Sequence, residues 1–241
     1  MSGPLALHGG GEFLAGDESF MAAILRAAPV ATDDSRRVVV VPTAAARGRP
    51  DLAAANGVAA LRRVAEAEAL AATVEIARVI DAASAADPSI FERLDAADLV
   101  HLPGGDPDLI PVLLRDTPAW EAIERAWRRG AVVAGASAGA MALAERTWTP
   151  TGPIDGLGLV PGIAVVPHAD AASWDRVVAR FGSLVPSGLG LLGLAERTGV
   201  LGPSGGDWQV IGEGEVRWLA PGATTPLVAR TGATIRLGTA G

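Results

Sequence analysis

The 241-residue sequence contains no cysteine, no tyrosine and no lysine, since all 20 of its Lys+Arg residues are arginines. Without cysteine, disulfide bonds, thiolate nucleophiles and Cys-ligated zinc sites are excluded. Without lysine, the phosphate-loop lysine, Schiff-base catalysis and Ser-Lys dyads are excluded as well. The sequence has 3 histidines, so any imidazole base must be His8, His101 or His168.

Basic surface and long apolar runs are also scarce. The formal net charge of -7 argues against nucleic-acid binding, which usually needs a basic face. No run approaches the roughly 20 apolar residues that a bilayer crossing needs, and no secretory signal is visible at the start. With 49% hydrophobic residues, the chain is expected to fold as a single α/β domain over residues 1–241, cytoplasmic and not membrane-bound.

The first 140 residues alternate short apolar runs with Ala-rich helical stretches. This alternation predicts βαβ units, hence a mostly parallel sheet flanked by helices on both faces. The predicted strands are 5–8, 38–41, 73–80, 99–102 and 131–134. The predicted helices are 19–28, 51–70, 88–96, 108–114 and 118–129, two of which begin at an Asp-Pro or Thr-Pro start signal.

The last third of the chain has a different, β-rich pattern. The runs 207–211 and 215–219 flank Gly212-Glu213-Gly214, which predicts a β-hairpin, and 233–237 predicts a further strand. The expected fold is therefore one α/β domain with a hairpin-rich C-terminal part.

The segment Gly135-Ala136-Ser137-Ala138-Gly139 follows an apolar strand and precedes a helical run. This is the G-x-S-x-G pattern in the strand–turn–helix setting that makes a serine nucleophilic. Such a tight turn strains the serine backbone, so its neighbours must be small. We predict that Ser137 is the nucleophile.

A serine nucleophile needs a base and a carboxylate that orients the base. His168 follows the strand-like run 163–167, so we expect it near the same sheet edge as the serine. Glu196 ends an apolar run and is the preferred carboxylate, since a partly buried acid would pair well with an imidazolium. Asp155 is the main alternative, and Asp170 also competes for this role.

The oxyanion donors are predicted in the loop 102–107, which follows a strand and contains two glycines. Gly104 and Gly105 allow the backbone to approach an oxyanion closely, and the Ala138 N–H would add a donor. The run His8-Gly9-Gly10-Gly11 imitates the esterase oxyanion motif. An α/β-hydrolase nevertheless places its histidine late, after the acid, which disfavours that fold here.

Several of these segments resemble one known family, the S51 serine peptidases, which include peptidase E (aspartyl dipeptidase) and cyanophycinase. The segments are Gly9 to Phe13, Val41 to Ala45, Leu102 to Asp106, Gly135 to Ala140, Ile154 to Leu159, Pro167-His168, Leu192 to Glu196 and Val210 to Gly214. The resemblance implies a fold like that of the class I glutamine amidotransferases.

By position, the resemblance makes Ser137 the nucleophile and His168 the base. Glu196 matches the acid of the cyanophycinase-type triad, and Asp155 matches the aspartate proposed for the dipeptidase branch. The implied activity is a cofactor-free, metal-free serine exopeptidase acting on small peptides, most favourably dipeptides with N-terminal Asp. The resemblance also allows a homodimer. Asp106, Asp170 and Arg176 are further candidates for substrate binding. The alternatives are a cyanophycinase-like or β-aspartyl peptidase, or a non-catalytic ligand-binding module.

Overall fold

A computed structural model describes residues 2–30, 34–149, 151–181 and 188–237. Within these residues the strands are β1 (Leu5–His8), β2 (Arg36–Val40), β3 (Ala72–Ile76), β4 (Leu99–Leu102), β5 (Val132–Ala136), β6 (Ala144–Thr149), β7 (Gly152–Asp155), β8 (Val160–Val166), β9 (Gly190–Leu194), β10 (Thr198–Gly202), β11 (Gly206–Gly212), β12 (Glu215–Leu219), β13 (Leu227–Arg230) and β14 (Thr234–Leu237). The helices are α1 (Glu18–Ala27), α2 (Pro50–Ala67), α3 (Ala82–Ala85), α4 (Pro88–Asp95), α5 (Leu109–Leu114), α6 (Pro118–Arg128), α7 (Ala138–Leu143) and α8 (Ala171–Phe181), with a short 3-10 helix at Thr43–Ala45.

The larger sheet has 8 strands in the order β14-β11-β10-β1-β5-β4-β2-β3. The five strands from β1 to β3 in this order are parallel, whereas β10, β11 and β14 pair antiparallel. In register, His8 of β1 lies beside Ala136 of β5, and Leu102 of β4 lies beside Gly135. The loops that follow β1, β4 and β5 therefore leave the sheet side by side, at the carboxyl edge where α/β sheets build their sites.

The smaller sheet has 6 strands in the order β13-β12-β9-β8-β6-β7, and β6, β8 and β9 are parallel to one another. The chain passes from the larger sheet into this one through α7. It returns through the short crossing 195–197 between β9 and β10. This crossing brings the carboxyl ends of β8 and β9 to the site edge of the larger sheet.

The helices cover both faces of the larger sheet, as predicted. Phe20, Ile24 and Leu61 from α1 and α2 bury one face against residues of β2, β4 and β5. On the other face, α4 to α7 share a buried cluster with the smaller sheet. Within the described residues no helix is long and apolar enough to cross a membrane. That residues 1–241 form one domain stays a prediction.

The helix start signals predicted from the sequence are present at the N-termini of α4 and α6. The Asp87 side chain accepts the Ser89 N–H at the start of α4, and the Thr117 side chain accepts the Trp120 N–H at the start of α6. Proline follows each cap at the first helical position, where its missing N–H costs no hydrogen bond.

One local expectation is wrong. The runs 207–211 and 215–219 do not form a hairpin, because β11 pairs with β10 and β14 in the larger sheet while β12 pairs with β9 and β13 in the smaller one. The positive φ of Gly212 (124°) instead turns the chain from one sheet into the other. The C-terminal part is still rich in hairpins, formed by β10 with β11 and by β12 with β13.

Candidate active site

Ser137 lies in a strained turn between β5 and α7. Its backbone has φ 48° and ψ -109°, a conformation that non-glycine residues rarely adopt and that costs about 1–3 kcal/mol. The turn closes because its neighbours are glycines. A Cβ on Gly135 would stand 2.5 Å from the Gly139 backbone, and a Cβ on Gly139 would stand 2.0 Å from the Leu102 carbonyl oxygen. The sequence folds locally into the tight turn that presents a serine hydroxyl at the helix N-terminus.

The Ser137 hydroxyl faces one nitrogen of the His168 imidazole, and the Glu196 carboxylate faces the other. Ser137 Oγ lies 3.0 Å from His168 Nε2, and His168 Nδ1 lies 3.0 Å from Glu196 Oε1. A carboxylate only accepts hydrogen bonds, so it favours the tautomer with the proton on Nδ1. The lone pair of Nε2 is then free to take the hydroxyl proton of Ser137.

Both partners of the serine are open to solvent. The side chains of His168 and Glu196 are 48% and 55% exposed, so water screens their mutual attraction. Their alignment must therefore come from the backbone that carries them, since the ion pair itself is weak.

Asp155 is placed elsewhere. It ends β7, a strand at the edge of the smaller sheet, and its carboxylate pairs with Arg146. Its backbone carbonyl accepts a hydrogen bond from Arg115. Among the described residues, Glu196 is the carboxylate that the fold brings to His168, and Asp155 is not.

Three consecutive carbonyl groups at the end of β1 and just after it hold the three segments of the site in place. Each accepts one backbone N–H: His8 from Ser137 at 2.9 Å, Gly9 from His168 at 2.8 Å and Gly10 from Arg197 at 2.8 Å. The donors belong to the nucleophile, the imidazole residue and the residue after Glu196. One short peptide thus sets the relative positions of residues that come from both sheets.

The two glycines of this peptide, Gly9 and Gly10, have no room for side chains. A Cβ on Gly9 would lie 2.1 Å from the Ala195 carbonyl oxygen. A Cβ on Gly10, which has φ +114°, would lie 2.2 Å from Cε1 of the His168 ring. The imidazole therefore packs directly against the backbone of Gly10. The run Gly9 to Gly11, called the glycine platform below, supports the site and is not a phosphate loop.

Two unpaired backbone N–H groups lie in the two segments that meet at Ser137, and these donors are available to an oxyanion. Those of Gly105 and Ala138 have no acceptor among the described residues. Ala138 is buried, and an unpaired buried N–H is costly unless a water or ligand meets it. Gly104 differs, because its N–H donates to Glu12 Oε1 at 2.7 Å. Glu12 was not among the site residues predicted from the sequence, although an acidic residue directly after a strand-ending glycine run is a visible signal.

The other two histidines are buried beneath the platform. His8 Nδ1 accepts the Gly10 N–H at 3.3 Å, and its Nε2 lies 2.8 Å from Asp17 Oδ1. Burial, with a smaller contribution from His8, lowers the pKa of His101 to about 3, so this ring is neutral at physiological pH. Both rings support the loop and the core, and among the histidines His168 alone faces Ser137.

The remaining predicted residues already have partners. Asp170 accepts the Ser173 N–H at 2.7 Å and caps α8, and this bond lowers the pKa of its carboxyl. Arg176 lies close enough to Asp170 to contribute to that lowering. Asp106 is half-exposed and lies 3.7 Å from Arg47. Among the described residues, no group of three His, Asp or Glu side chains is arranged to hold a metal ion.

Comparisons with known proteins identify the family and the fold of the chain. A family model described as Peptidase family S51 matches residues 5–201, a span that contains Ser137, His168 and Glu196. Among solved structures, the chain is similar to a peptidase from an acI-B1 Actinobacterium, with TM-score 0.82 and 26% identity over 98% of each chain. A candidate peptidase E protein from Listeria monocytogenes EGD-e shares the fold, with TM-score 0.55 and 16% identity over 99% of this chain and 100% of that one. No curated protein matches the chain significantly.

Proposed function

The chain belongs to peptidase family S51 and is a serine-type peptidase, and on that premise we propose that it is an exopeptidase for short peptides, above all dipeptides with N-terminal Asp. The proposed catalytic triad is Ser137, His168 and Glu196. The observation that carries the proposal is the continuous hydrogen-bonded chain from Ser137 Oγ through the imidazole to Glu196, with 3.0 Å at each step.

The chemistry follows from this chain. His168 Nε2 takes the proton of Ser137 as Oγ attacks the scissile carbonyl carbon, and Glu196 stabilises the imidazolium that forms. The N–H groups of Gly105 and Ala138 receive the oxyanion. The imidazolium then protonates the leaving amine, which departs and leaves an acyl-enzyme on Ser137. Water, deprotonated by the same imidazole, cleaves the ester and releases the acid.

Preference for an acidic residue requires a cation near the acyl side. Arg197, directly after Glu196, is the best-placed candidate. Its side chain is 43% exposed, and its Nη1 donates to the Ala15 carbonyl oxygen at 3.3 Å. Its Nε lies 3.7 Å from Glu213, farther than a hydrogen bond. A substrate carboxylate could therefore form a closer contact with Arg197 than Glu213 does. The N–H groups and cation together fit a small substrate, and the net charge of -7 disfavours a long polyanionic one.

The experiment compares turnover of Asp-Xaa dipeptides, neutral dipeptides and β-linked Asp-Arg, beside labelling with a fluorophosphonate. We expect an adduct on Ser137 near neutral pH, no adduct on the Ser137→Ala variant, and the highest kcat/KM on Asp-Xaa. Faster turnover of the β-linked peptide would assign a cyanophycinase-like or β-aspartyl activity instead. No adduct and no turnover would assign a non-catalytic ligand-binding module. Homodimer formation and a cytoplasmic location stay predictions, and light scattering tests the first.

A further inference from the structure

A second carboxylate, that of Glu12, lies beside the nucleophile and has no part in the triad. Its Oε1 accepts the Gly104 N–H at 2.7 Å. A Cβ built on Gly104 would be 2.8 Å from Glu12 Oε1 and 3.1 Å from Ser137 Cβ. The Cβ position on Gly104 is thus close to both the Glu12 carboxylate and Ser137. Glu12 therefore lies beside the space in which the acyl part of a substrate must bind.

The surroundings of Glu12 differ from those of the neighbouring carboxylates. Glu196 faces His168, and Glu213 faces Arg197. Glu12 has no arginine or histidine partner among the described residues. Its side chain is half-buried, and one backbone N–H leaves most of its acceptor capacity unused. A partly desolvated carboxylate of this kind favours a cation at its free oxygen.

The chemistry of the substrate says which cation this is. In a peptide cleaved after its first residue, the α-ammonium nitrogen is bonded to the carbon next to the scissile carbonyl. When that carbonyl meets Ser137 Oγ, the ammonium is held within a few ångströms of the nucleophile. We propose that Glu12 is a specificity-determining residue that binds the free α-ammonium group of the substrate. The inference rests on the proposed exopeptidase function and accounts for its restriction to N-terminal residues.

The position of Glu12 on the glycine platform suits this role. It directly follows Gly9 to Gly11, and the carbonyl groups of His8, Gly9 and Gly10 accept the N–H groups of Ser137, His168 and Arg197. Both the triad and the ammonium-binding carboxylate are therefore fixed to the same backbone. The Gly104 bond keeps the carboxylate directed toward the site in the absence of substrate.

The rival explanation is purely structural, namely that Glu12 only braces the Gly104 loop. The Glu12→Gln variant separates the two, because glutamine keeps an oxygen that can accept the Gly104 N–H and removes the charge. Glu18→Gln is the matched control. Glu18 is exposed in the same part of the chain and also accepts a glycine N–H, that of Gly16 at 2.8 Å, so the control removes the same charge outside the site.

The assay measures kcat/KM for a dipeptide and for its N-acetylated form with each variant. For Glu12→Gln we expect a loss of about 10- to 100-fold on the free dipeptide, as for a hydrogen bond to a charged group, and an unchanged or higher value on the acetylated one. Glu18→Gln should match the wild type on both. Equal losses on both substrates would show a bracing role, and no loss on the free dipeptide would also overturn the proposal.

Fluorophosphonate labelling keeps this test apart from that of the proposed function, because the reagent carries no ammonium group. Glu12→Gln should label Ser137 at the wild-type rate. If the wild type neither labels nor turns over any peptide, the proposed function fails before Glu12 is tested. Wild-type labelling combined with equal turnover of free and acetylated peptides would refute the ammonium role alone.

Discussion

Substituting Gly10 with alanine tests whether the glycine platform sets the position of the imidazole. The new Cβ would lie 2.2 Å from Cε1 and 2.8 Å from Nδ1 of His168. Carbon atoms in contact settle at about 3.5–4.0 Å, so the ring must retreat by roughly 1 Å or more. Its bonds to Ser137 and Glu196 are both 3.0 Å long, and a retreat of that size takes at least one of them beyond hydrogen-bond range.

The expected loss is large because a catalytic group misplaced by about 1 Å costs on the order of 100-fold in rate. We expect kcat/KM of Gly10→Ala to fall at least that far, together with the rate of fluorophosphonate labelling. Alanine at φ +114° also strains the backbone by about 1–3 kcal/mol, which a lower Tm would report. Activity is therefore compared at a temperature where thermal unfolding shows the variant to be folded.

Gly11→Ala is the matched control for this substitution. Gly11 also has a positive φ, +71°, but the nearest atoms to its added Cβ are at 3.5 Å, an ordinary contact. It should lose about 1 kcal/mol of stability while keeping activity within a few-fold of the wild type. The reasoning is refuted if folded Gly10→Ala retains full activity, or if Gly11→Ala loses as much.

Three further outcomes are expected. Glu196→Gln should lower kcat by about 10³-fold or more through loss of the carboxylate that orients the imidazolium, whereas Asp155→Asn should leave kcat near the wild-type value in the same peptide assay. Gly105→Ala should lower kcat about 10²-fold, because its Cβ would stand 2.3 Å from a backbone carbonyl oxygen and displace an oxyanion donor; steady-state kinetics on the same peptide measures this. Burial lowers the pKa of His101 to about 3, so the unfolded chain takes up a proton below pH 6.5 that the folded chain refuses. The free energy of unfolding should then fall by about 2 kcal/mol from pH 6.5 to 5 in urea titrations, and this part of the loss should be missing in His101→Leu.

Each of these outcomes has a definite opposite. If Asp155→Asn folds but is inactive while Glu196→Gln stays active, Asp155 and not Glu196 is the carboxylate that orients the imidazolium. Full activity of Gly105→Ala would remove that loop from the oxyanion site. Parallel pH curves for the wild type and His101→Leu would show that His101 is protonated equally in the folded and unfolded chains.

Local chemistry explains why much of the site could be predicted. The turn at Ser137 depends only on neighbouring glycines and alanines, and the caps before α4 and α6 depend on adjacent Asp-Pro and Thr-Pro pairs. The strands β1 and β4 were predicted with their observed ends, because short apolar runs bounded by glycine or proline have few other uses.

Contacts between segments that are far apart in the sequence could not be predicted from local patterns. The sequence left the triad carboxylate open between Glu196 and Asp155, since both are acidic residues near apolar runs. The fold places Glu196 in the crossing between the two sheets and Asp155 at a sheet edge beside Arg146. The prediction of a hairpin around Gly212 was wrong for the same reason, because the strands on its two sides pair in different sheets.

The sequence by itself determined the expected chemistry: it has no cysteine and no lysine, and its G-x-S-x-G turn with a single later histidine predicts a Ser-His mechanism for acyl transfer. Only the tertiary structure decided which carbonyls hold Ser137 and His168, and that Glu196 faces the imidazole while Glu12 accepts the Gly104 N–H. The physical reason is range. Turn geometry and capping act over a few residues, whereas the pairing of β1 with β5 and β10 joins segments more than a hundred residues apart, and no local pattern encodes that choice.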